Sequence, residues 1–406
     1  MKKKILFVFG TRPEAIKMAP LIRLAKTARK EFSVKVCVTA QHRRMLDEAL
    51  EIFQIKPDYD LNIMQDDQSL HQVAALVLNK MEKILTKEKP DLLLVHGDTT
   101  TTFAAALAAF YQKIPVGHVE AGLRSYNKKQ PFPEEANRLL TDALCDLYFA
   151  PTVTAKKALL KENIFSKNIF VTGNTVIDAL SLVLAQKKKF FAPELQNFFS
   201  SAAGEFSGRI ILVTAHRREN FGRPLENVFK ALRQAAEKYP DVKIIYPVHL
   251  NPNVQEPAKK ILGKVKNIHL LPPVNYSDLA NLMKLSYLVV TDSGGLQEEA
   301  PSLGKPVLVL RAVTERPEAV ESGTVKIAGT EQKKVFSEIC RLLDSKKNYQ
   351  QMAKAINPYG DGKAAARTLS AIRYYFGFRP SRPADFRATI VPSPLVGEGR
   401  VSGNQE

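Results

Sequence analysis

The sequence predicts an α/β protein with two doubly wound parallel-sheet domains that face each other across a cleft. Short runs rich in β-branched residues alternate with segments of helical length, which is typical of parallel strands joined by crossover helices. Two such series follow one another in the 406 residues, a length that accommodates two or three domains of about 150 residues each. The change from one series to the other predicts a domain boundary near residues 173–178.

The predicted strands fall into these two series in chain order. The first series comprises residues 4–9, 34–39, 91–96, 114–119, 147–150 and 168–172. The second series comprises residues 209–214, 243–248, 268–271, 287–291 and 307–310. Residues 190–208 are expected to form a loop or a helical excursion within the second domain. From residue 376 onward, prolines and glycines with little periodicity predict a disordered tail.

The composition excludes several classes of protein. Apolar residues make up 45% and charged residues 25%, close to the average of globular chains, so a fibrous or largely disordered protein is excluded. No apolar run approaches the roughly 18 residues of a membrane-spanning helix, and Arg12 and Glu14 interrupt the apolar segment after the basic N-terminus. Cys37, Cys145 and Cys340 lack CxxC spacing, so neither disulfides nor a metal site is predicted. We therefore expect a cytoplasmic protein without a membrane segment.

The net charge of +18 points to an anionic partner. Nucleic acid is one alternative, but the basic residues are scattered along the chain and no aromatic-interleaved RNA signature or zinc finger occurs. A small phosphorylated ligand needs only a few of these charges. We therefore expect no nucleic-acid partner.

Unusual polar residues follow the predicted strands of the first domain, where the carboxyl ends of parallel strands meet at one edge of a sheet. Arg12 lies in the turn after the first strand, and Lys17 lies one turn into the next helix. Arg12 could instead pair with Glu14 or point into solvent. Asp98 and Glu120 each follow a strand. Asp98 could merely cap the next helix, whereas Glu120 requires a partner or a function.

Two further acids, Glu134 and Glu135, lie at a predicted helix start in residues 131–138. Glu134 and Arg138 are spaced i, i+4 and share a helical face, so Arg138 could hold and tune a catalytic acid. Complementation of the helix dipole alone could account for one of the two adjacent acids there.

The second domain carries features suited to an anion. His216 stands beside two arginines in a loop after a strand, which is a poor place for an apolar core. Ser293, Gly294 and Gly295 lie between an apolar strand and a helix, where exposed backbone N–H groups suit a diphosphate. Glu299 would then point toward a ribose. An ordinary Ser-Gly-Gly turn is the alternative.

The usual nucleotide motifs are missing from the sequence. No GxGxxG follows the first strand and no GxxxxGK[ST] occurs, which disfavours nicotinamide redox chemistry and kinase chemistry. Carboxylates in the first half, a diphosphate-binding turn in the second and a histidine between them indicate a nucleotide-activated substrate that bridges both halves.

The sequence blocks resemble, in order, those of the non-hydrolysing UDP-N-acetylglucosamine 2-epimerases, which share the two-domain fold of GT-B glycosyltransferases. The resemblance runs from about residue 4 to residue 367. The matching blocks are GTRPEAIKMAP, HGDTTTTFAAALAAF, PVGHVEAGLRS, PFPEEANR, VTGNTVIDAL, TAHRRENFG, YPVHLNPNV, TDSGGLQEEAPSLGKPVLVLR and TERPEAVESGT. The resemblance implies an N-terminal domain of residues 1–173 completed by a helix near residues 356–375, a UDP-binding domain of residues 174–355 and a tail of residues 376–406.

The activity that the resemblance implies is interconversion of UDP-N-acetylglucosamine and UDP-N-acetylmannosamine, by anti elimination of UDP to a 2-acetamidoglucal and re-addition. Such a reaction needs no redox cofactor and no metal. The residues in catalytic roles would be Asp98, Glu120, Glu134 and His216. The residues in substrate-binding roles would be Arg12, Lys17, Arg138, Val274, Leu279, Ser293, Gly294, Gly295, Glu299 and Arg316. The resemblance does not specify which acid serves which face of the sugar.

Some bacterial members resemble one another in a second, activating UDP-N-acetylglucosamine site, which Gln41, His42 and His249 match. Arg44 stands where some members carry Gln, and Asp67 where some carry Arg, which weakens the match. The resemblance also implies a homodimer. The alternatives are a GT-B glycosyltransferase, a hydrolysing epimerase that releases N-acetylmannosamine, and a nucleic-acid-binding protein.

Overall fold

Two parallel sheets organise the part of the chain that the structure describes. The structure is a computed structural model, and it describes residues 1–40, 43–65, 67–186, 190–201, 208–314 and 316–388. One unit contains Met1–Val183 together with Tyr359–Arg387, and the other contains Leu184–Pro358. We refer to them as unit 1 and unit 2. The expectation of two doubly wound α/β domains is thus confirmed at the level of the sheets.

The strands and helices have the following bounds. The strands are β1 (Lys3–Phe9), β2 (Phe32–Val38), β3 (Tyr59–Asp60), β4 (Leu92–His96), β5 (Val116–Val119), β6 (Leu147–Ala150), β7 (Ile169–Val171), β8 (Arg209–Thr214), β9 (Val242–Pro247), β10 (Ile268–Leu271), β11 (Leu288–Thr291), β12 (Val307–Val309) and β13 (Val325–Ile327). The helices are α1 (Arg12–Thr27), α2 (Arg43–Ile52), α3 (Leu70–Glu88), α4 (Thr100–Tyr111), α5 (Glu134–Leu144), α6 (Val153–Lys161), α7 (Thr175–Leu184), α8 (Pro193–Ser201), α9 (Arg223–Lys238), α10 (Pro252–Leu262), α11 (Tyr276–Leu285), α12 (Gly294–Glu299), α13 (Pro317–Glu321), α14 (Gln332–Asp344), α15 (Lys346–Ala353) and α16 (Ala364–Tyr375).

Both sheets change winding direction at an interior strand. The strand order is β3-β2-β1-β4-β5-β6-β7 in unit 1 and β10-β9-β8-β11-β12-β13 in unit 2. In unit 1 the order reverses between β1 and β4, and in unit 2 between β8 and β11. Loops at the carboxyl ends of strands beside such a switch point form the crevice where open α/β sheets bind ligands. Of the predicted site residues, Arg12 and Asp98 follow β1 and β4, and His216 and Ser293 follow β8 and β11.

Burial explains why the interior strands could be recognised in the sequence. All five residues of β4 are buried, as helices on both faces of a parallel sheet require. The eleven predicted strands agree with observed strands to within two residues at each end. The two that escaped prediction, β3 and β13, are edge strands of two and three residues.

The boundary expected at residue 173 differs from the division in the structure, because α7 packs with unit 1. Asn174 N–H donates to the Tyr359 carbonyl at 2.6 Å. Further along α7, the carboxylate of Asp178 accepts from the N–H groups of Ala364 and Ala365 at 3.1 and 2.9 Å. These bonds tie α7 to the start of α16 within the same unit.

The expectation of a disordered segment from residue 376 is wrong for residues 376–388, of which residues 382–386 pack along the edge strand β7. Phe386 is 5% exposed, and its N–H donates to the Val171 carbonyl at 2.7 Å. Asp385 accepts from the Val171 N–H at 3.0 Å and pairs with Lys156 at 2.6 Å. The guanidinium of Arg382 lies 4.1 Å from the ring centroid of Phe170. The remaining residues of the predicted tail lie outside the described residues.

In the described part of the chain, no helix combines the length and the apolar character needed to cross a membrane.

Candidate active site

The turn between β1 and α1 is fixed by a buried carboxylate. Glu14 is 2% exposed, and its Oε2 accepts from the N–H groups of Gly10 and Thr11 at 3.0 and 2.7 Å. Its Oε1 accepts from the hydroxyls of Thr99 and Thr102 at 2.8 and 2.9 Å. Glu14 therefore joins the β1 and β4 loops at the switch point and holds the turn that carries Arg12. The capping-box spacing from Thr11 to Glu14 is the local sequence signal for this role.

Glu120 follows β5 and is surrounded by polar groups. Its Oε2 accepts from Lys17 Nζ at 2.5 Å and from Asn174 Nδ2 at 2.8 Å. The side chains of Lys17 and Glu120 are 12% and 8% exposed. His96 Nε2 lies 3.6 Å from the same oxygen, and both ring nitrogens of His96 are buried and without a hydrogen bond among the described residues. The structure thus pairs the predicted substrate contact Lys17 with the predicted acid Glu120, and adds His96 and Asn174, which sequence reasoning did not assign.

Asp98 follows β4 and forms an ion pair rather than a helix cap. Arg138 donates to Asp98 Oδ2 from Nε at 3.0 Å and from Nη2 at 2.6 Å. Thr99 is the N-cap of α4, and its hydroxyl accepts from the Thr102 N–H. Asn137 Nδ2 donates to the Asp98 carbonyl at 2.9 Å. The β4 loop is therefore anchored to α5 at both the side chain and the backbone of Asp98.

Arg138 supports two acids, neither of which is its i, i+4 neighbour. Its Nη1 donates to Glu135 Oε2 at 2.9 Å. Burial lowers the pKa of Arg138, but the charges of Asp98 and Glu135 outweigh burial and raise it above the ordinary value. The expected support of Glu134 by Arg138 is therefore not what the structure shows.

Glu134 is the first residue of α5 and has a free carboxylate oxygen. In the part of the chain that the structure describes, its Oε2 is buried and makes no hydrogen bond. A buried polar atom without a partner is unfavourable by about 1–3 kcal/mol, so such atoms call for an explanation. An oxygen in this state can accept a proton or a ligand hydroxyl.

In unit 2, Asp292 organises the loop that carries His216. Asp292 is fully buried after β11, and its Oδ2 accepts from the N–H groups of His216 and Arg217, both at 2.8 Å. Asn220 Nδ2 donates to the same oxygen at 3.3 Å. The loops after β8 and β11 are thereby joined at the switch point of this sheet. Asp292 directly precedes the predicted diphosphate-binding turn, but its bonds to the loop after β8 have no local signal in the sequence.

The ring of His216 is accessible and stacks on a second histidine. Its side chain is 40% exposed, and Nδ1 lies 3.7 Å from Asp292 Oδ1. The His249 ring, after β9, stacks on it with centroids 5.3 Å apart and an interplanar angle of 13°. His249 therefore neighbours the predicted catalytic histidine, whereas Gln41 and His42 of the expected activating site lie outside the described residues.

The Ser-Gly-Gly turn leads from β11 into α12. Ser293 is the N-cap residue, and its N–H donates to Thr291 Oγ1 at 2.9 Å. A Cβ added to Gly294 would meet no heavy atom within 4 Å among the described residues. The first N–H groups of a helix have no acceptor within the helix, so this turn presents donors on an open side.

Glu299 and Arg316 each have a protein partner. The Tyr276 hydroxyl donates to Glu299 Oε2 at 2.6 Å. Burial and the Glu299 carboxylate raise the pKa of Tyr276 well above its ordinary value, so Tyr276 remains a hydrogen-bond donor. Arg316 pairs with Glu298, whose side chain is 1% exposed. Glu298 therefore holds the guanidinium that was predicted to bind substrate.

The remaining predicted contacts, Val274 and Leu279, lie on either side of Asn275, the N-cap residue of α11. Both side chains are half-buried. Such an apolar border suits the face of a planar ring. Within the described ranges, no group of three or more His, Cys, Asp or Glu side chains could hold a metal ion.

The comparisons with known proteins agree with one another. A profile of the family described as UDP-N-acetylglucosamine 2-epimerase matches residues 25–373. UDP-N-acetylglucosamine 2-epimerase of Escherichia coli K12 is 54% identical over 91% of this chain and 98% of its own length. The crystal structure of UDP-GlcNAc 2-epimerase from Neisseria meningitidis bound to UDP-GlcNAc is 49% identical, with a TM-score of 0.83, covering 91% of this chain and 100% of that chain. The enzyme from Methanocaldococcus jannaschii in complex with UDP-GlcNAc and UDP is 36% identical, with a TM-score of 0.74, covering 91% and 99%.

Proposed function

Since the chain belongs to the UDP-N-acetylglucosamine 2-epimerase family, we propose that it interconverts UDP-N-acetylglucosamine and UDP-N-acetylmannosamine without releasing free sugar. The observation that carries this proposal is the set of three carboxylates on neighbouring loops of unit 1. Asp98 is paired with Arg138, Glu120 is paired with Lys17, and Glu134 keeps an unpartnered oxygen. Different surroundings give chemically similar groups different roles in proton transfer.

The proposed reaction begins with elimination. The C1–O bond to UDP breaks and its electron pair leaves with UDP. A carboxylate removes the C2 proton, and the C–H electron pair forms the C1=C2 double bond of a 2-acetamidoglucal. The C2 hydrogen is not alpha to a carbonyl, so direct removal would be very slow. Positive charge developing at C1 makes that hydrogen acidic enough for a carboxylate to act as the general base.

The second half-reaction reverses the first on the other face of the sugar. An acid returns a proton to the opposite face of C2, and UDP adds to C1 again. Proton transfer at both faces of C2 requires two acid–base groups, or one such group together with a proton relay. We therefore assign Asp98, Glu120 and Glu134 to these transfers and leave their distribution between the faces to experiment. The reaction is redox-neutral and requires no cofactor.

We assign the UDP moiety to unit 2. The accessible His216 ring is suited to stabilise or protonate the departing diphosphate, and the open turn at Ser293–Gly295 is suited to its oxygens. Glu299 can accept a ribose hydroxyl while Tyr276 holds the other side of the carboxylate in place. Val274 and Leu279 would border the uracil ring.

Proton NMR of UDP-N-acetylglucosamine with the enzyme in D2O tests the proposal. We expect the mannosamine anomeric signal to appear and the C2 proton to be lost while the nucleotide sugar stays intact. Accumulation of free N-acetylmannosamine and UDP would instead identify a hydrolysing epimerase. Consumption of UDP-N-acetylglucosamine only after a sugar acceptor is added, with the C2 proton retained throughout, would identify a glycosyltransferase.

A second isotope measurement tests elimination itself. Substrate carrying 18O in the bridge between C1 and the β-phosphorus is incubated with the enzyme and recovered. If the C1–O bond breaks reversibly, the label moves to non-bridging positions of the β-phosphate. C2 exchange without this movement would contradict elimination of UDP.

A further inference from the structure

A buried ionic network that the proposed reaction does not use lies among the acid-bearing segments of unit 1. His118 Nδ1, in β5, lies 2.6 Å from Asp142 Oδ1, in α5. Arg124, in the connection between them, donates to Asp142 Oδ2 from Nη2 at 2.6 Å. The three side chains are 0%, 1% and 1% exposed. Glu162, after α6, completes the network with two bonds to Arg124 at 2.6 and 2.7 Å.

The partners of His118 determine its protonation. Its Nε2 lies 2.7 Å from the Gly97 carbonyl oxygen, which can only accept a hydrogen bond. Asp142 Oδ2 accepts from Arg124 Nη2 at 2.6 Å and from the Gly122 N–H at 3.2 Å, which favours the ionised carboxylate, so its Oδ1 also only accepts. Both ring nitrogens therefore donate, and this requires an imidazolium ring.

The network contacts each segment that carries a candidate acid. His118 binds the carbonyl of Gly97, the residue before Asp98. Asp142 Oδ2 accepts from the Gly122 N–H at 3.2 Å, two residues after Glu120.

The third segment is reached through helix α5. Asp142 itself lies in α5, which begins at Glu134. Arg124 Nη1 also donates to the Leu123 carbonyl at 2.8 Å and so fixes the connection that leads into this helix.

We propose that His118 is a positioning residue that, as an imidazolium between Gly97 and Asp142, sets the relative placement of Asp98, Glu120 and Glu134. His118 is fully buried and therefore acts through its neighbours rather than on the substrate. A neutral side chain could donate to Gly97 but would leave Asp142 with Arg124 as its only cationic partner in the network. Loss of one partner from a buried ionic network shifts the groups that remain. The proposal rests on the proposed function, because the placement matters only if these acids transfer protons.

The protonation of His118 is tested first, without turnover. The full-length protein is labelled with 15N at histidine, and the His118 ring signals are assigned by their loss in His118→Gln. We expect two protonated ring nitrogens with imidazolium shifts at pH 7, because each ring nitrogen lies within hydrogen-bond distance of an acceptor. A neutral tautomer at pH 7 would overturn the proposal, whatever the activity of the enzyme.

The positioning role is tested by kinetics of His118→Gln beside His71→Gln, the same substitution at an exposed residue of α3. For His118→Gln we expect kcat to fall roughly 10- to 100-fold, the scale for displacing a catalytic group by about 1 Å, with KM changed less than about 3-fold. His71→Gln should match the wild type. The affinity for UDP, measured by calorimetry, should stay the same in both variants because unit 2 is untouched.

Two results would contradict the positioning role. One is a folded His118→Gln enzyme with wild-type kcat. The other is an equal loss of kcat and UDP affinity, which indicates general destabilisation. If the wild-type enzyme shows no C2 exchange, the proposed function fails, and the NMR measurement still decides the state of His118.

Discussion

At the scale of single residues, Glu120 combines a strained backbone with a crowded carboxylate. Its φ of +71° lies in the left-handed region, which is unfavourable for a non-glycine residue by about 1–3 kcal/mol. Lys17 and Asn174 bind one of its oxygens, and His96 lies within 3.6 Å of it. Such strain persists only where the surroundings hold it, and it occurs often at functional sites. Glu120 is therefore a strong candidate for an acid that touches the substrate.

We expect Asp98→Asn, Glu120→Gln and Glu134→Gln each to reduce turnover by roughly 10²-fold or more, the usual scale for removing a proton-transfer group. The substitutions keep side-chain size, so circular dichroism should show folded proteins. Glu82→Gln, at an exposed position of α3, is the matched control and should retain wild-type turnover. Near-normal turnover in all three site variants would overturn the assignment of these acids.

The same variants can assign each acid to a face of the sugar. C2 deuterium exchange is measured separately from UDP-N-acetylglucosamine and from UDP-N-acetylmannosamine under single-turnover conditions. An acid that serves one face should slow exchange more strongly from one epimer than from the other. Equal slowing from both epimers in every variant would mean that the three acids do not divide between faces.

Sequence reasoning proposed the charged residues of the candidate site and missed the residues that bind them. Asp98, Glu120 and His216 each follow a strand in a pattern that is visible without coordinates. Asn174 and Asp292 act through hydrogen bonds to residues 54 and 76 positions away, and a single sequence carries no record of such a contact. The i, i+4 spacing pointed to Glu134 as the acid that Arg138 holds, whereas Arg138 pairs with Asp98, 40 positions away.

At the scale of elements, Asp178 joins α7 to α16. Its carboxylate accepts from the first two N–H groups of α16, which have no acceptor inside that helix. Burial raises the pKa of Asp178 to about 6, and the backbone N–H groups of Ala365 and Ala364 only partly offset this effect.

This raised pKa predicts how stability depends on pH. Between about pH 4 and pH 6, the unfolded chain has released the Asp178 proton and the folded chain retains it, so the free energy of unfolding falls as pH rises. At pH 7 the free energy of unfolding is lower by at most about 3 kcal/mol than it is where Asp178 is protonated in both the folded and the unfolded chain. Asp178→Asn cannot ionise and should therefore gain stability relative to the wild type between pH 4.5 and pH 7.

Urea denaturation of Asp178→Asn and of the wild type at pH 4.5 and at pH 7 measures this difference in the free energy of unfolding. Asp47→Asn, at an exposed position of α2, is the control, and its difference from the wild type should stay constant with pH. If Asp178→Asn also differs from the wild type by a constant amount, then Asp178 does not titrate in this range.

The segment after α16 provides an independent test of packing. Phe386 is buried against the edge of the unit 1 sheet, so Phe386→Ala should lower the free energy of unfolding by about 3 kcal/mol, the low end for buried phenylalanines. Phe110→Ala, at a residue 54% exposed, should change it by less than about 1 kcal/mol. Equal urea midpoints for the two variants would show that the segment does not contribute to stability in solution.

The elements that the sequence did not predict share a physical cause. The edge strands β3 and β13 contain two and three residues and depend on their neighbours for pairing. Residues 376–388 look disordered because prolines and glycines interrupt any periodicity, yet a segment that covers a sheet edge needs few regular contacts of its own. The predicted strands, including the edge strands β7 and β10, carry an apolar signal in their own residues, whereas β3, β13 and residues 376–388 acquire structure from the sheet that they meet.

At the scale of the whole molecule, both sheets position their candidate site loops in the same way. In each unit the loops after the two strands at the switch point are joined by a buried carboxylate, Glu14 in unit 1 and Asp292 in unit 2. Alternation of strands and helices was enough to predict the two sheets and the edge at which the site lies. It was not enough to predict which side chains meet there, because that depends on the strand order, which alternation alone does not specify.

The net charge of +18 leads to a last prediction about partners. Many basic side chains of the described residues are paired with acids in both units, for example Lys35 with Asp58, Arg209 with Asp241 and Arg373 with Glu31, and paired charges add nothing to the excess. A nucleotide sugar offers only the charges of one diphosphate. We therefore expect kcat/KM to fall less than about 10-fold between 50 and 500 mM KCl, as screening of a few charges allows.

A protein that contacts six to ten phosphates of DNA would lose about 10³- to 10⁵-fold in affinity between 50 and 200 mM salt. Random duplex DNA added to the assay at 50 mM KCl should leave turnover unchanged, and inhibition that disappears steeply with salt would instead support a nucleic-acid partner.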